Sequence, residues 1–393
     1  MERSWLVAGA ICPPFVLQAL VEGEGGLSLK ALEEAAAAVA GANPAARMRL
    51  EGSLGWSRWR TAGLEPRVRE VDGSGWDGRG PEGAPFLEEP LDPRRGPALE
   101  VLWVRGAPER VVVRAHHALS DGQGVMMLAR ELFRALRGEP CLGSTAGGET
   151  DAELARSLGM EPAVEPGARF RAPTGVCEEG AGAGGRWRRV TLTERPRRLV
   201  AQIAAALWRV SGEFGAEAPM RVGVPVDLRR HRPELRSAAN LTGVINLELG
   251  PLMEADDPVQ AIDAALREGL ERRAEGQGVL FAEQLRWWPL WLLTFLARQL
   301  AEKKLRTSMF TSSAALSSLG RQRLADYHAP GFEARAVVML APVTISLPLF
   351  LTVTGHERGV ELCAAAPRGL ATDGRLERFT ARLLEELTEA SRG

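Results

Sequence analysis

The run Val111-Val112-Val113-Arg114-Ala115, followed at once by His116-His117-Ala118-Leu119-Ser120-Asp121-Gly122, constrains this chain more than any other segment. Three successive β-branched residues read as a strand. Beyond the heptad, Val125, Leu128, Ala129, Leu132, Phe133 and Leu136 recur at helical spacing, and Gly138 and Pro140 close that pattern. The sequence therefore predicts a strand, a tight loop and a helix, with two of only five histidines at the junction. A histidine at a strand end is held by a rigid scaffold while its ring can face a cavity, where a general base must sit to reach a substrate proton. Gly122 and Gly124 fall where strand gives way to helix, so bare backbone and unpaired N–H groups face the same space. Neighbours on extended backbone point to opposite sides, which predicts that one ring packs and the other reaches the cavity. The same opposition, with no cysteine or acidic cluster nearby, argues against two imidazoles and a carboxylate binding a metal.

The heptad matches the HHxxxDG signature and resembles the chloramphenicol-acetyltransferase-like superfamily, which includes peptide-synthetase condensation domains, wax ester synthases and polyketide-associated acyltransferases. The likeness extends along most of the chain in the family order. Leu29 to Leu50, with Asn43-Pro44-Ala45-Ala46-Arg47-Met48-Arg49, resembles the opening helix and strand entry. Arg221-Val222-Gly223-Val224-Pro225-Val226-Asp227-Leu228-Arg229 resembles a "vgvPvdlR" strand, and Thr242 to Leu249 the strand after it. Ser317-Ser318-Leu319-Gly320 is similar to a late "sNlG" segment, with Ser318 where the family has Asn. The nearest likeness is to short, free-standing condensation-like proteins. The absence of an Asp-Phe-Gly-Trp-Gly motif argues against the plant-type branch.

The resemblance implies an acyltransferase in which His117 is the general base and His116 packs and supports it. It also implies a salt bridge, structural in character, from Asp121 to Arg229 of the matched segment, tying the two halves of the chain together. A neutral imidazole, with an ordinary pKa of about 6.5, can take the proton of an alcohol or amine attacking a thioester carbonyl and return it to the leaving thiolate. The Gly122 N–H, at a helix start, is a candidate for polarising the carbonyl oxygen. The expected donor is an acyl thioester on CoA or on a carrier protein's phosphopantetheine, with no bound cofactor and no metal. A non-catalytic alternative is a module of the same fold that docks a carrier protein or binds a lipid thioester.

The other histidines read as ordinary surface: His231 in a polar turn, His328 in a loop with Pro330 and Gly331, and His356 at a hairpin tip between Leu349–Thr354 and Val360–Ala364. No Gly-x-Ser-x-Gly elbow, Walker loop or dinucleotide-binding glycine pattern occurs, which removes the usual signals of serine hydrolases and nucleotide enzymes. Lys+Arg 49 against Asp+Glu 50 gives no electrostatic case for nucleic acid. Cys12, Cys141, Cys177 and Cys363 lack metal spacing and suit a reducing cytoplasm better than a disulfide framework. The apolar stretch Trp5 to Cys12 is broken early by Pro13 and Pro14, which argues against a secretion signal, and the resemblance implies an entry strand there.

With 393 residues, 45% of them apolar, two lobes are expected. Strands mixed with helices in both lobes predict an α/β (α+β) fold class, and the resemblance implies two chloramphenicol-acetyltransferase-like lobes, each a mixed sheet with helices, with an active-site channel at their interface. The boundaries read as 1–150 for the lobe carrying the motif, 151–185 for a Gly/Ala/Glu-rich linker, and 186–393 for the second lobe. One segment remains, Arg286-Trp287-Trp288-Pro289-Leu290-Trp291 through Arg298. It is too short to span a bilayer, which needs about 20 apolar residues. Trp287, Trp288 and Trp291 are therefore candidates for the substrate channel, with a helix packed between the lobes or an interfacial membrane helix as alternatives.

Overall fold

The computed structural model describes residues 2–392 except 53–56, 62–63, 146–149, 163–168, 179, 181–183, 217–218 and 284–286. Two mixed sheets organise it. The first has five strands in the order Phe332–Leu340, Val16–Gly25, Glu109–His116, Leu99–Arg105 and Arg67–Asp72. The second has six, in the order Thr242–Glu248, Arg221–Asp227, Ala314–Arg321, Phe350–His356, Gly359–Pro367 and Gly185–Leu192. The expected two-lobed α/β architecture is present.

A hairpin delivers the histidines, with Leu99 opposite Ala115 and Val101 opposite Val113. Its outer face and the helices Leu29–Ala42 and Gly122–Leu136 enclose one core, built from residues such as Leu32, Val39, Val113, Leu128 and Phe133. Ser28 caps the first of these helices by accepting from the Ala31 N–H at 3.2 Å. The second sheet packs on the helices Leu199–Glu213, Pro258–Glu271 and Arg375–Arg392, around Leu207, Ile262, Leu351 and Phe379.

The division of the chain at residue 186 does not follow the sheets. Phe332–Leu340 leaves the second half of the sequence to pair antiparallel with Val16–Gly25, Val21 opposite Val337, so the first lobe borrows its edge strand. Nor is 151–185 all linker. Asp151–Ser157 is a helix with a reciprocal cap between Thr150 and Glu153, and its Leu154 packs with Leu228, Leu241 and Val279. Glycine-rich composition hid this short amphipathic turn. Trp5 to Cys12 is not a strand: Glu2–Ile11 is a helix lying against the helix Leu290–Thr307, and the first sheet strand begins at Val16.

The contact between lobes is built by Leu20, Leu102, Val112 and Val338 of the first sheet against Trp187, Cys363 and Ala365 of the second. A buried ionic chain runs beside it. Glu22 accepts from Arg110 at 3.0 Å and from Arg189, and Arg189 Nε donates to Glu361 at 2.8 Å. His356 Nε2 lies 3.2 Å from Glu361. His356 is therefore not a surface residue; it is 7% exposed, because the strand pair folds its tip back onto this chain of charges. His231 is likewise engaged, 2.7 Å from the buried Glu275, and His328 accepts from the Ala334 N–H at 3.0 Å.

Candidate active site

The strand Glu109–His116 ends at the motif, and Asp121 caps the helix Gly122–Leu136 by accepting from the Gly124 N–H at 2.8 Å. The loop between them turns over five residues, 117–121. Gly124 permits this: a Cβ there would lie 2.4 Å from Ser120 Oγ and 2.5 Å from the Ala238 carbonyl, so the segment near residue 238 closes directly onto bare helix backbone.

His117 lines a cavity of about 410 Å³ between the lobes, together with Asp121, Gly122 and Gln123 of the motif region. Pro225, Thr242, Asn246 and Ser317 bring the second sheet to the opposite wall. The His117 ring packs in a cluster of three near-parallel rings, with Trp5 at 4.3 Å and Phe15 at 5.1 Å between centroids, and Trp5 and Phe15 themselves 5.8 Å apart. Asn240 Nδ2 donates to the His117 carbonyl at 2.8 Å and sits 3.2 Å from Nδ1. Burial holds the His117 pKa below its ordinary value, although the carbonyls of His117 and Ser120 and the charge of Asp121 pull the other way. His116 goes elsewhere. Its Nδ1 accepts from the Ala118 N–H at 3.1 Å and its ring rests by Gly9, with its pKa lowered to about 4 by burial and by the neighbouring His117.

Asp121 and Arg229 meet across the lobes. Arg229 Nη1 donates to Asp121 Oδ2 at 3.0 Å and Nη2 to Oδ1 at 3.3 Å, while Nη1 also donates to Asp227 at 2.7 Å. Asp121 accepts further from the Leu241 N–H at 2.7 Å and the Thr242 hydroxyl at 3.0 Å. Burial alone raises a carboxyl pKa, but Arg229 and these donors outweigh it and hold Asp121 below the usual range. Asp227, more weakly compensated and beside Asp121, is held above it by burial.

Trp287, Trp288 and Trp291 are not part of this site. They are 71%, 45% and 65% exposed, and none of them lines the cavity or the core between the lobes. The helix Leu290–Thr307 turns Leu293, Ala297 and Ala301 toward Glu2–Ile11 and leaves the aromatic side outward. Periodicity alone does not say which face a helix buries. Arg286 lies outside the described residues. Among the described residues no helix is long and apolar enough to cross a membrane, and no cluster of three or more His, Cys, Asp or Glu could hold a metal ion. Trp5, Phe15 and Asn240 escaped the sequence reading because nothing local marks them; they reach His117 from 100 or more residues away.

No family model and no curated protein sequence matches the chain. Solved structures do match its shape. The first condensation domain of the calcium-dependent antibiotic synthetase superposes with a TM-score of 0.66 at 14% identity, covering 99% of this chain and 94% of that one. The fold is that of a condensation domain. The starter condensation domain of rhizomide synthetase, solved in complex with C8-CoA and Leu-SNAC, gives 0.65 at 15% identity over 100% and 93% of the two chains. Polyketide synthase associated protein 5 from Mycobacterium tuberculosis gives 0.60 at 18% identity over 97% and 95%.

Proposed function

We propose that this protein is a condensation-type acyltransferase that moves an acyl group from a thioester to an alcohol or amine, with His117 as general base. The observation that carries the reading is a histidine at a strand end, in a cavity shared by both lobes, whose ring hydrogen-bonds to the backbone carbonyls of His117 and Ser120. A proton on Nδ1, where carbonyls can accept it, leaves the Nε2 lone pair for the substrate. The acceptor N–H or O–H gives its proton to Nε2 as the nucleophile bonds to the thioester carbon. The carbonyl oxygen takes the negative charge, and Gly122, which lines the cavity at the first helical turn where its N–H has no intrahelical acceptor, is assigned as its hydrogen-bond donor. Collapse of this intermediate breaks the carbon–sulfur bond, and the thiolate recovers the proton from Nε2. Asp121 and Arg229 hold the loop and do not touch the reacting atoms.

The structures with C8-CoA support a thioester donor on CoA or on a carrier protein, with the channel between the lobes admitting donor and acceptor. No resident cofactor is required by this chemistry. The four cysteines, Cys12, Cys141, Cys177 and Cys363, are scattered without metal or disulfide-framework spacing, and we infer a cytoplasmic location from that. The burial of His117 against Trp5 and Phe15 favours a second reading, a binding module that holds a thioester or docks its carrier without turnover. Incubation with acyl-CoAs and acyl carrier proteins, plus a panel of alcohols and amines, followed by mass spectrometry, separates the two. Ester or amide product that disappears in His117→Ala supports transfer; stoichiometric binding with neither product nor thioester hydrolysis supports the module.

A further inference from the structure

The helix Leu290–Thr307 brings Lys304 to the wall of the cavity that holds His117. A lysine ammonium has three N–H donors and is strongly hydrated, so on a surface helix it ordinarily extends into water. This one turns inward. The residue is half-buried, and among the described residues its Nζ meets the Thr311 hydroxyl and the Ser346 carbonyl, both at 3.5 Å, the outer limit of hydrogen bonding and both uncharged. Among the described residues no carboxylate pairs with it; the two that line the cavity, Asp121 and Asp227, are both bound by Arg229. Hydroxyls of Thr311, Ser312, Thr344 and Ser346 surround the same part of the wall. Burial lowers the Lys304 pKa, and the positive charge of Arg169 acts in the same direction. An anion placed there would reverse both penalties and complete the ammonium's hydrogen bonds.

We infer that Lys304 and the adjoining hydroxyls form an oxyanion subsite of the cavity, taking a carboxylate or phosphate carried by one of the substrates. The inference rests on the transferase reading and narrows it. The oxyanion has two sources in that chemistry: the phosphates of a CoA or phosphopantetheine donor, or the free carboxylate of an amino- or hydroxy-acid acceptor.

Titration calorimetry of the full chain with octanoyl-CoA and with phosphate-free octanoyl-N-acetylcysteamine tests the first source. Leucine against leucinamide, in the presence of the octanoyl thioester, tests the second. Lys304→Met should weaken binding of one anionic probe by about 10- to 100-fold while its neutral counterpart binds as before. Lys304→Arg should keep the anionic probe within a few-fold of wild type, and thermal melts of both variants establish that they fold. Loss confined to octanoyl-CoA assigns the donor phosphate, and loss confined to leucine assigns the acceptor carboxylate. Equal binding of both anionic probes by wild type and Lys304→Met, or no binding of either by wild type, overturns the subsite. Binding that depends on residue 304 without turnover in wild type would retain the subsite and remove the transferase; turnover indifferent to residue 304 would do the reverse.

Discussion

Removing the Asp121 carboxylate should cost the protein much of its stability, because that group accepts from five donors on both sides of the lobe interface. In Asp121→Ala the buried Arg229 guanidinium keeps Asp227 and the carbonyls of Ser237 and Ala239, but loses the partner that neutralises most of its charge. Breaking one side of a buried ion pair costs about 3–5 kcal/mol. The Gly124 and Leu241 N–H groups lose their acceptor as well, at about 1–3 kcal/mol for each that stays dry. These costs share one carboxylate and do not add, so about 3–5 kcal/mol is the expected total. At about 2–4 °C per kcal/mol for a unit of 150–250 residues, the melting temperature should fall by about 6–20 °C. Calorimetric melting of Asp121→Ala, Arg229→Met and the double variant measures this. The double variant should be less damaged than the sum of the singles, since it strands no charge. The pH dependence has a fixed sign: the folded carboxyl lies below its ordinary 3.8, so its contribution is full above that value and is lost as pH falls through the folded pKa. Wild type and Asp121→Ala should therefore converge in stability in strong acid. A single variant that melts within about 1 °C of wild type at neutral pH would refute the account of the interface.

His117→Ala should lower transfer by about 10²–10⁴-fold with little change in melting temperature, and the acid limb of the wild-type rate profile should lie below the ordinary imidazole value of 6.5, because burial keeps the ring neutral; a limb above 6.5 contradicts the assignment. Trp5→Ala admits water to one face of that ring, so its limb should move up toward 6.5, whereas Trp5→Phe should leave it in place. Arg189→Met leaves Glu22 and Glu361 facing each other without their shared cation and should cost about 3–5 kcal/mol by denaturant titration; a loss below about 1 kcal/mol would show that the chain of charges is not what joins the sheets. Trp291→Ala should change stability by less than about 0.5 kcal/mol and leave the preference for acyl chain length unaltered, since the side chain is exposed and outside the cavity.

What the sequence disclosed and what it withheld divide along a physical line. The strand Glu109–His116, the helix Gly122–Leu136 and their hairpin partner follow from periodicity within about 40 residues, and the heptad named His117 and Asp121 before any coordinates did. Arg229 was reachable only through a second motif 108 residues on. The edge strand Phe332–Leu340 fell within the stretch assigned to the second lobe and pairs with the first sheet instead, because an apolar run does not specify its pairing partner. The helix Glu2–Ile11 was misread for a related reason: a short apolar run carries little distinction between strand and helix. The tryptophans failed differently. Aromatic residues usually mark buried surface, and Trp76 and Trp187 do so here, but the face of Leu290–Thr307 that packs on its neighbour is made of small residues.

The same observations bear on how the site depends on the rest of the molecule. The heptad supplies the histidine, yet everything that tunes it comes from distant chain: Trp5 and Phe15 fix the ring plane, Asn240 holds its carbonyl, and Arg229 holds the loop through Asp121. Asn240, Leu241 and Thr242 form one continuous stretch in which the first contacts His117 and the next two donate to Asp121. A small displacement of the second lobe would therefore shift His117 and release Asp121 together. Pre-organisation to within about 0.5 Å, as the proposed acyl transfer would require, is thus a property of the interface and not of the motif. It follows that substitutions between residues 238 and 242, though outside any recognisable motif, should impair catalysis through His117 without touching a substrate, and that activity should fall before global unfolding as the lobes loosen on heating.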